Sequence, residues 1–214
     1  MRILICTHGR SGGMGLLAWI TREMGPGYNS YHEPDIINNK DLLEEINGKD
    51  NCIVKIFPYW TKYGGIDLDK FVDSFDKVIL HKRENKIETA ISMAYSEVET
   101  LKILKSGGVI DCHQTYKIDD KWIEDHSDLI QRVINDDRLM NCGLDLIKRE
   151  DALHTTYEKI FDGKEDVERV IEYLGIKNPE HTYTLDKKYR LRNGELGMSN
   201  FKSTEVHIVD LKLI

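Results

Sequence analysis

The chain has 214 residues, 40% hydrophobic and 31% charged, a balance that fits one folded domain over residues 1–214 and excludes a largely disordered polypeptide. Its 30 Lys and Arg against 37 Asp and Glu give a formal charge of -7, which excludes bulk affinity for nucleic acid or an anionic membrane. No stretch approaches the roughly 20 apolar residues of a bilayer span. The opening apolar run from Ile3 to Cys6 is too short for a signal peptide, so a cytoplasmic chain is expected.

In chain order, Arg2 to Thr7 reads as a first, central strand that runs through a glycine-rich turn into a helix from about Met14 to Met24. A second strand precedes Tyr31-His32-Glu33-Pro34. Cys52 to Phe57 and Lys77 to His81 are apolar enough to be strands buried in a parallel sheet, with a short helix over Asp67 to Phe75 between them. After Arg83-Glu84-Asn85, the apolar positions Ile87, Ala90, Ile91, Ala94 and Val98 recur at helical spacing. The stretch from Ser106 to Asp145 is less regular, with an amphipathic piece near Leu129 to Val133. It reads either as a substrate lid or as a packing excursion. A last strand at Ala152 to Tyr157 leads to a helix from Lys164 to Leu174 that Gly175 closes, and Val206 to Leu213 alternates enough for an added edge strand. This alternation of strand and helix predicts an α/β fold with helices on both faces of the sheet. Cys6, Cys52, Cys112 and Cys142 have no paired spacing, so buried free thiols are expected rather than disulfides or a zinc site.

The run His8-Gly9-Arg10-Ser11-Gly12-Gly13-Met14-Gly15 sits between a strand and a helix, which is a physical recipe for holding an anion. Glycines let the backbone approach a ligand, free N–H groups point inward, and the helix N-terminus adds partial positive charge. A phosphate-like group is expected there. Neither common nucleotide motif fits: no Lys-Ser or Lys-Thr pair follows the glycines, and the dinucleotide spacing fails.

Arg10-Ser11-Gly12 resembles the 5′-phosphosulfate loop of sulfotransferases that use 3′-phosphoadenosine 5′-phosphosulfate (PAPS). Two further segments are similar to the same family. Lys77 to Arg83 followed by Ala90-Ile91-Ser92 resembles the strand and helix whose Arg and Ser bind the 3′-phosphate. Arg192-Asn193-Gly194-Glu195-Leu196-Gly197 resembles the segment that closes over that phosphate. The resemblance spans about Arg2 to Phe201, including Tyr157-Glu158 and the helix ending Leu174-Gly175. It implies a three-layer α/β/α sandwich with a mostly parallel, P-loop-like sheet, and a cofactor site of Gly9, Arg10, Ser11, Gly12, Gly13, Met14, Arg83, Ser92, Arg192, Asn193 and Gly194. The implied product is adenosine 3′,5′-bisphosphate (PAP), and the scheme needs no metal. Gly13 and Met14 stand where many members carry hydroxyls, Asn193 replaces a Lys, and Met198-Ser199 replaces an Asp-Trp.

Sulfuryl transfer requires nucleophile, sulfur and leaving oxygen in line, with cationic donors where charge grows. Arg10 is the candidate for that role. A hydroxyl or amine acceptor must also lose a proton, so a general base is expected near the sulfur. Many members carry a His two residues after a Lys. Here Lys55 is kept and Phe57 takes the place of that His. The segment Tyr31-His32-Glu33-Pro34 resembles the Glu-containing base segment of other branches, so Glu33 is the first candidate base and His32 the second. Lys55 either orients the base or touches the bridging oxygen. The acceptor implied is a small molecule or carbohydrate. Two other readings stand beside this one: a P-loop-like phosphotransferase using ATP and magnesium, and a nucleotide-binding module that has lost catalysis.

Overall fold

The computed structural model describes residues 1–34, 36, 40–106, 118 and 120–179. The expected segments Arg192 to Gly197 and Val206 to Leu213 lie outside these residues, and so do Cys112 and His113. In order, the elements are β1 (Arg2–Thr7), α1 (Gly13–Met24), β2 (Asn29–His32), α2 (Lys40–Asn47), β3 (Cys52–Ile56), α3 (Pro58–Tyr63), α4 (Leu68–Asp73) and β4 (Lys77–Lys82). There follow α5 (Lys86–Lys105), α6 (Asp120–Asp125), α7 (Ser127–Asn135), α8 (Asp137–Asn141), β5 (Leu153–Thr156) and α9 (Glu165–Leu174). Among the described residues the chain forms two compact units. One holds Met1–Glu84 and the residues from Asn141 onward; the other, Asn85–Met140, is inserted between them.

The first unit carries a five-stranded sheet in the order β2-β3-β1-β4-β5, with every pairing parallel. Alternation along β1 sends its side chains to opposite faces. Ile3 and Ile5 pack with Leu16, Trp19, Ile20, Phe161 and Val170 from α1 and the α9 region. Leu4 and Cys6 pack with Ile46, Phe71, Val72 and Phe75 from α2 and α4. Helices therefore cover both faces, and the unit is the three-layer α/β/α sandwich expected from the sequence. Each fully buried Ile or Leu in these layers contributes on the order of 1.5–3 kcal/mol. The central strands β1 and β3 are buried along almost their whole length, whereas the edge strand β2 is largely exposed.

Local chemistry sets the ends. Asp67 caps α4, accepting the Lys70 N–H at 3.2 Å, so the helix begins one residue later than the apolar pattern indicates. Gly175 closes α9 in the left-handed conformation, at φ 67°. Between β5 and α9, Glu158 to Asp162 form one π-helical turn.

In the second unit, Asn85 caps α5 through the Glu88 N–H at 3.1 Å. Ala90, Ile91 and Ala94 of α5 pack with Ile130 and Val133 of the strongly amphipathic α7. The described helices of the Ser106 to Asp145 stretch up to Met140 thus share a core with α5. Cys6, Cys52 and Cys142 are free and buried. No helix among the described residues is long and apolar enough to cross a membrane.

Candidate anion-binding and catalytic site

The site lies in the first unit, where the C-terminal end of β1 meets the N-terminus of α1. Because β1 is central and the chain builds β3 on one side of it and β4 on the other, the loop after β1 sits at a topological switch point, where open parallel sheets form their ligand crevices. Gly12, in the left-handed conformation at φ 81°, caps α1 without a side-chain hydrogen bond, and the first turn of the helix carries no acidic residue. The opening N–H groups of α1 are thus offered to an anion rather than to a capping side chain.

Two glycines are required sterically. A Cβ on Gly12 would fall 2.7 Å from both Phe161 Cε2 and Tyr157 Cδ2, and a Cβ on Gly13 would fall 2.7 Å from Lys55 Cε and 2.8 Å from Thr7 Cγ2. The space beside Gly13 is therefore filled by the Lys55 stem and by Thr7. Beside it, Thr7 Oγ1 is buried with no hydrogen-bond partner among the described residues. Sequence reasoning passed over Thr7 as an ordinary strand residue; its only signal is its position at the last step before the loop.

Arg10 is exposed and adopts φ 59°, and Met14 is exposed as well. Ser11 is buried, its hydroxyl donating to the His8 carbonyl at 2.8 Å. Glu33, the other non-glycine site candidate with positive φ, is at 45°. A non-glycine residue in this region carries backbone strain, which recurs at functional positions. The Glu33 N–H donates to the Lys55 carbonyl at 2.9 Å, which extends the β2–β3 ladder by one step and carries the carboxylate over β3.

There the sequence candidates for catalysis meet. Lys55 Nζ donates to Glu33 Oε1, and His32 Nε2 lies 3.1 Å from the same oxygen. Lys55 is 3% exposed, and burial lowers its pKa while Glu33 opposes the shift. Its ammonium also lies 4.2 Å from the centroid of Phe57, so Phe57 supplies an aromatic face to the lysine. Burial likewise lowers the pKa of His32, with Lys55 adding to that effect and Glu33 opposing it. In its neutral form His32 donates from Nε2 to Glu33, which leaves the ring lone pair on Nδ1.

The second expected basic position is adjacent to the loop. The Arg83 N–H donates to His8 Nε2 at 2.7 Å. The Arg83 guanidinium lies 4.4 Å from the centroid of Tyr157, and its Nε is 4.0 Å from a Glu158 carboxylate oxygen. Tyr157 and Glu158 were read from sequence only as parts of a family pattern, and here they form the platform and the countercharge for Arg83. Ser92 is buried on α5, in the second unit. Arg192, Asn193 and Gly194 lie outside the described residues. Among the described residues no group of three or more His, Cys, Asp or Glu side chains gathers in a way that could hold a metal ion.

Fold and site together define an α/β protein with a glycine-rich loop after its central strand, the basic Arg83 hydrogen-bonded to the start of that loop, and a Lys–Glu–His cluster beside the neighbouring strands. No family model matches the chain, and no curated protein matches it. Among solved structures the chain is similar to the mouse sulfotransferase SULT7A1 complexed with PAP, at 18% identity and a TM-score of 0.45. That match covers 89% of this chain and 63% of the mouse protein, so the chain spans less than two thirds of that protein's length.

Proposed function

We propose that this protein is a sulfotransferase that moves a sulfuryl group from PAPS to an acceptor hydroxyl. The observation that supports the reading is the 2.7 Å hydrogen bond from the Arg83 backbone to the ring of His8, which ties a second basic residue to the start of the glycine-rich loop. A nucleotide with phosphates at both ends of its ribose calls for two separate basic positions, whereas a nucleoside triphosphate needs one continuous cradle.

The residues present fit such a nucleotide. The α1 amides and Arg10 receive the 5′ end, and the buried Thr7 hydroxyl supplies a donor where Gly13 and Met14 supply none. Arg83 receives the 3′-phosphate through a planar fork of donors, and the sequence resemblance assigns Ser92, Arg192, Asn193 and Gly194 to the same phosphate. When bound, PAPS supplies an activated sulfuryl group and a leaving phosphate. Arg10 and Lys55 would stabilise the charge that grows on the 5′-phosphate oxygen as the sulfuryl group passes from it to the acceptor. His32, the second of the two sequence candidates, takes the acceptor proton at Nδ1 in place of Glu33, whose Oε1 is engaged by Lys55 and by His32 Nε2. Glu33 fixes the tautomer of the ring and stabilises the imidazolium that forms, and Lys55 holds Glu33 in place. The acceptor is a small molecule or carbohydrate.

The direct test is thermal shift with PAP in the absence of metal against ATP with magnesium. PAP alone is expected to raise the melting temperature. Stabilisation by ATP and magnesium with none from PAP would replace this reading with phosphoryl transfer. Stabilisation by PAP without transfer to any acceptor would leave a binding module.

A further inference from the structure

Two histidines that the proposed chemistry does not use flank the anion loop, and both are almost fully buried, His8 at 3% exposure and His81 at 0%. Their partners fix their tautomers. The Ser11 carbonyl can only accept, so His81 donates to it from Nε2 at 2.8 Å; Nδ1 is then the acceptor for the Thr155 hydroxyl at 2.9 Å. For His8 the roles reverse. The Arg83 N–H donates to Nε2, so the proton is on Nδ1, which donates to the Gly9 carbonyl at 2.8 Å. Both nitrogens of each neutral ring are therefore used, one as donor and one as acceptor, and at His8, where Nε2 must accept the Arg83 N–H, only the neutral ring satisfies both contacts.

The contacts connect different parts of the site. His81, on β4, ties the middle of the loop at Ser11 to β5 at Thr155. His8, at the start of the loop, ties Gly9 to the backbone of Arg83, and the Ser11 hydroxyl donates to the His8 carbonyl, so the two rings meet through Ser11. Resting on the nucleotide reading above, we propose that His8 and His81 are positioning residues: His81 sets the shape of the anion loop, and His8 sets where Arg83 stands relative to that loop. His8 thereby determines the preference for a ribose that carries a 3′-phosphate.

The two roles predict different losses. Calorimetric titration would compare PAP with adenosine 5′-monophosphate, which lacks the 3′-phosphate, on the parent and on His8→Leu, His8→Gln and His81→Leu. Removing the acceptor for the Arg83 N–H is worth about one good hydrogen bond, so His8→Leu should weaken PAP by roughly tenfold and the monophosphate by less than about threefold. His8→Gln, whose amide oxygen can accept the same N–H, should restore PAP binding to within about threefold of the parent. His81→Leu should weaken both nucleotides in proportion. A His8→Leu variant that weakens both nucleotides equally, or a His8→Gln variant no better than His8→Leu, would overturn the inference while leaving the nucleotide reading intact. A parent that binds neither nucleotide would instead refute that reading, and the selectivity assigned to His8 with it. Should His8→Leu not fold, imidazole ¹⁵N NMR of the parent decides: neutral rings protonated at Nδ1 of His8 and Nε2 of His81 support the inference, and a charged ring or the same tautomer in both overturns it.

Discussion

Resemblance to sulfotransferases invites the replacement of Gly13 by Ser, to restore a hydroxyl that many members carry in the loop. The structure predicts that this variant is impaired. The new Cβ would stand 2.7 Å from Lys55 Cε and 2.8 Å from Thr7 Cγ2, well inside the 3.4 Å at which ordinary contact begins. Thr7 is β-branched on a buried strand and cannot turn aside, so the Lys55 stem must move, and its ammonium leaves Glu33. Overpacking of this kind costs on the order of 1–3 kcal/mol, offset by up to about 1 kcal/mol from removing a glycine at the start of a helix. A net loss of roughly 1–2 kcal/mol corresponds to a melting temperature lower by about 2–8 °C for a chain of this size. With Glu33 and His32 no longer held, transfer should fall by roughly tenfold or more, since each 1.4 kcal/mol of lost transition-state stabilisation is tenfold in rate. Thermal unfolding and sulfuryl transfer from PAPS would be measured on parent and variant together. A Gly13→Ser protein as stable as the parent, with equal or faster transfer, would refute the claim that Lys55 occupies this space.

Arg83→Ala should weaken PAP by roughly 10- to 100-fold in a calorimetric titration, the range for a lost hydrogen bond to a charged group, and should leave adenosine 5′-monophosphate nearly unchanged. Glu33→Gln should keep PAP affinity and lower kcat, because the imidazolium formed at His32 loses its carboxylate; equal kcat in parent and variant would exclude Glu33 from the proton path. Asp166, 2% exposed, accepts the Thr156 N–H at 3.2 Å, so Asp166→Ala should cost about 1–3 kcal/mol in urea denaturation by leaving that buried donor unpaired. Burial lowers the pKa of His81 to about 4. The unfolded chain therefore binds the proton more readily than the native protein, and the stability linked to His81 is complete above about pH 6.5 and lost as pH falls toward 4. The loss amounts to roughly 3 kcal/mol, and denaturation of His81→Gln across this range should lack that slope.

Much of the sheet could be read from residue pattern. β1, β3, β4 and β5 are short apolar runs that nearly match the expected strands, and the glycine run after β1 announced both the loop and α1. What escaped was local or distant. α3 begins on Pro58, where proline at a first helical position resembles a simple strand stop. α2 was not anticipated, its few apolar residues standing among charges that read as loop. The π-helical turn after Tyr157 continues the chain without any composition signal. Within the site, the convergence of Lys55, Glu33 and His32 was anticipated as candidates but not as contacts, because it depends on β2 pairing with β3. The partners of His81 lie 70 and 74 residues away in sequence, and no periodicity reports contacts of that range.

The second unit enters the chain between β4 and β5, which lie side by side in the sheet. Both packed faces of that sheet are built from residues outside the insert. Loop entropy grows only slowly with length, so evolution is free to lengthen, shorten or exchange this helical cassette at little thermodynamic expense to the sheet. Chimeras that graft a different cassette between Glu84 and Asn141 are thus expected to keep the sheet and its two packed faces folded.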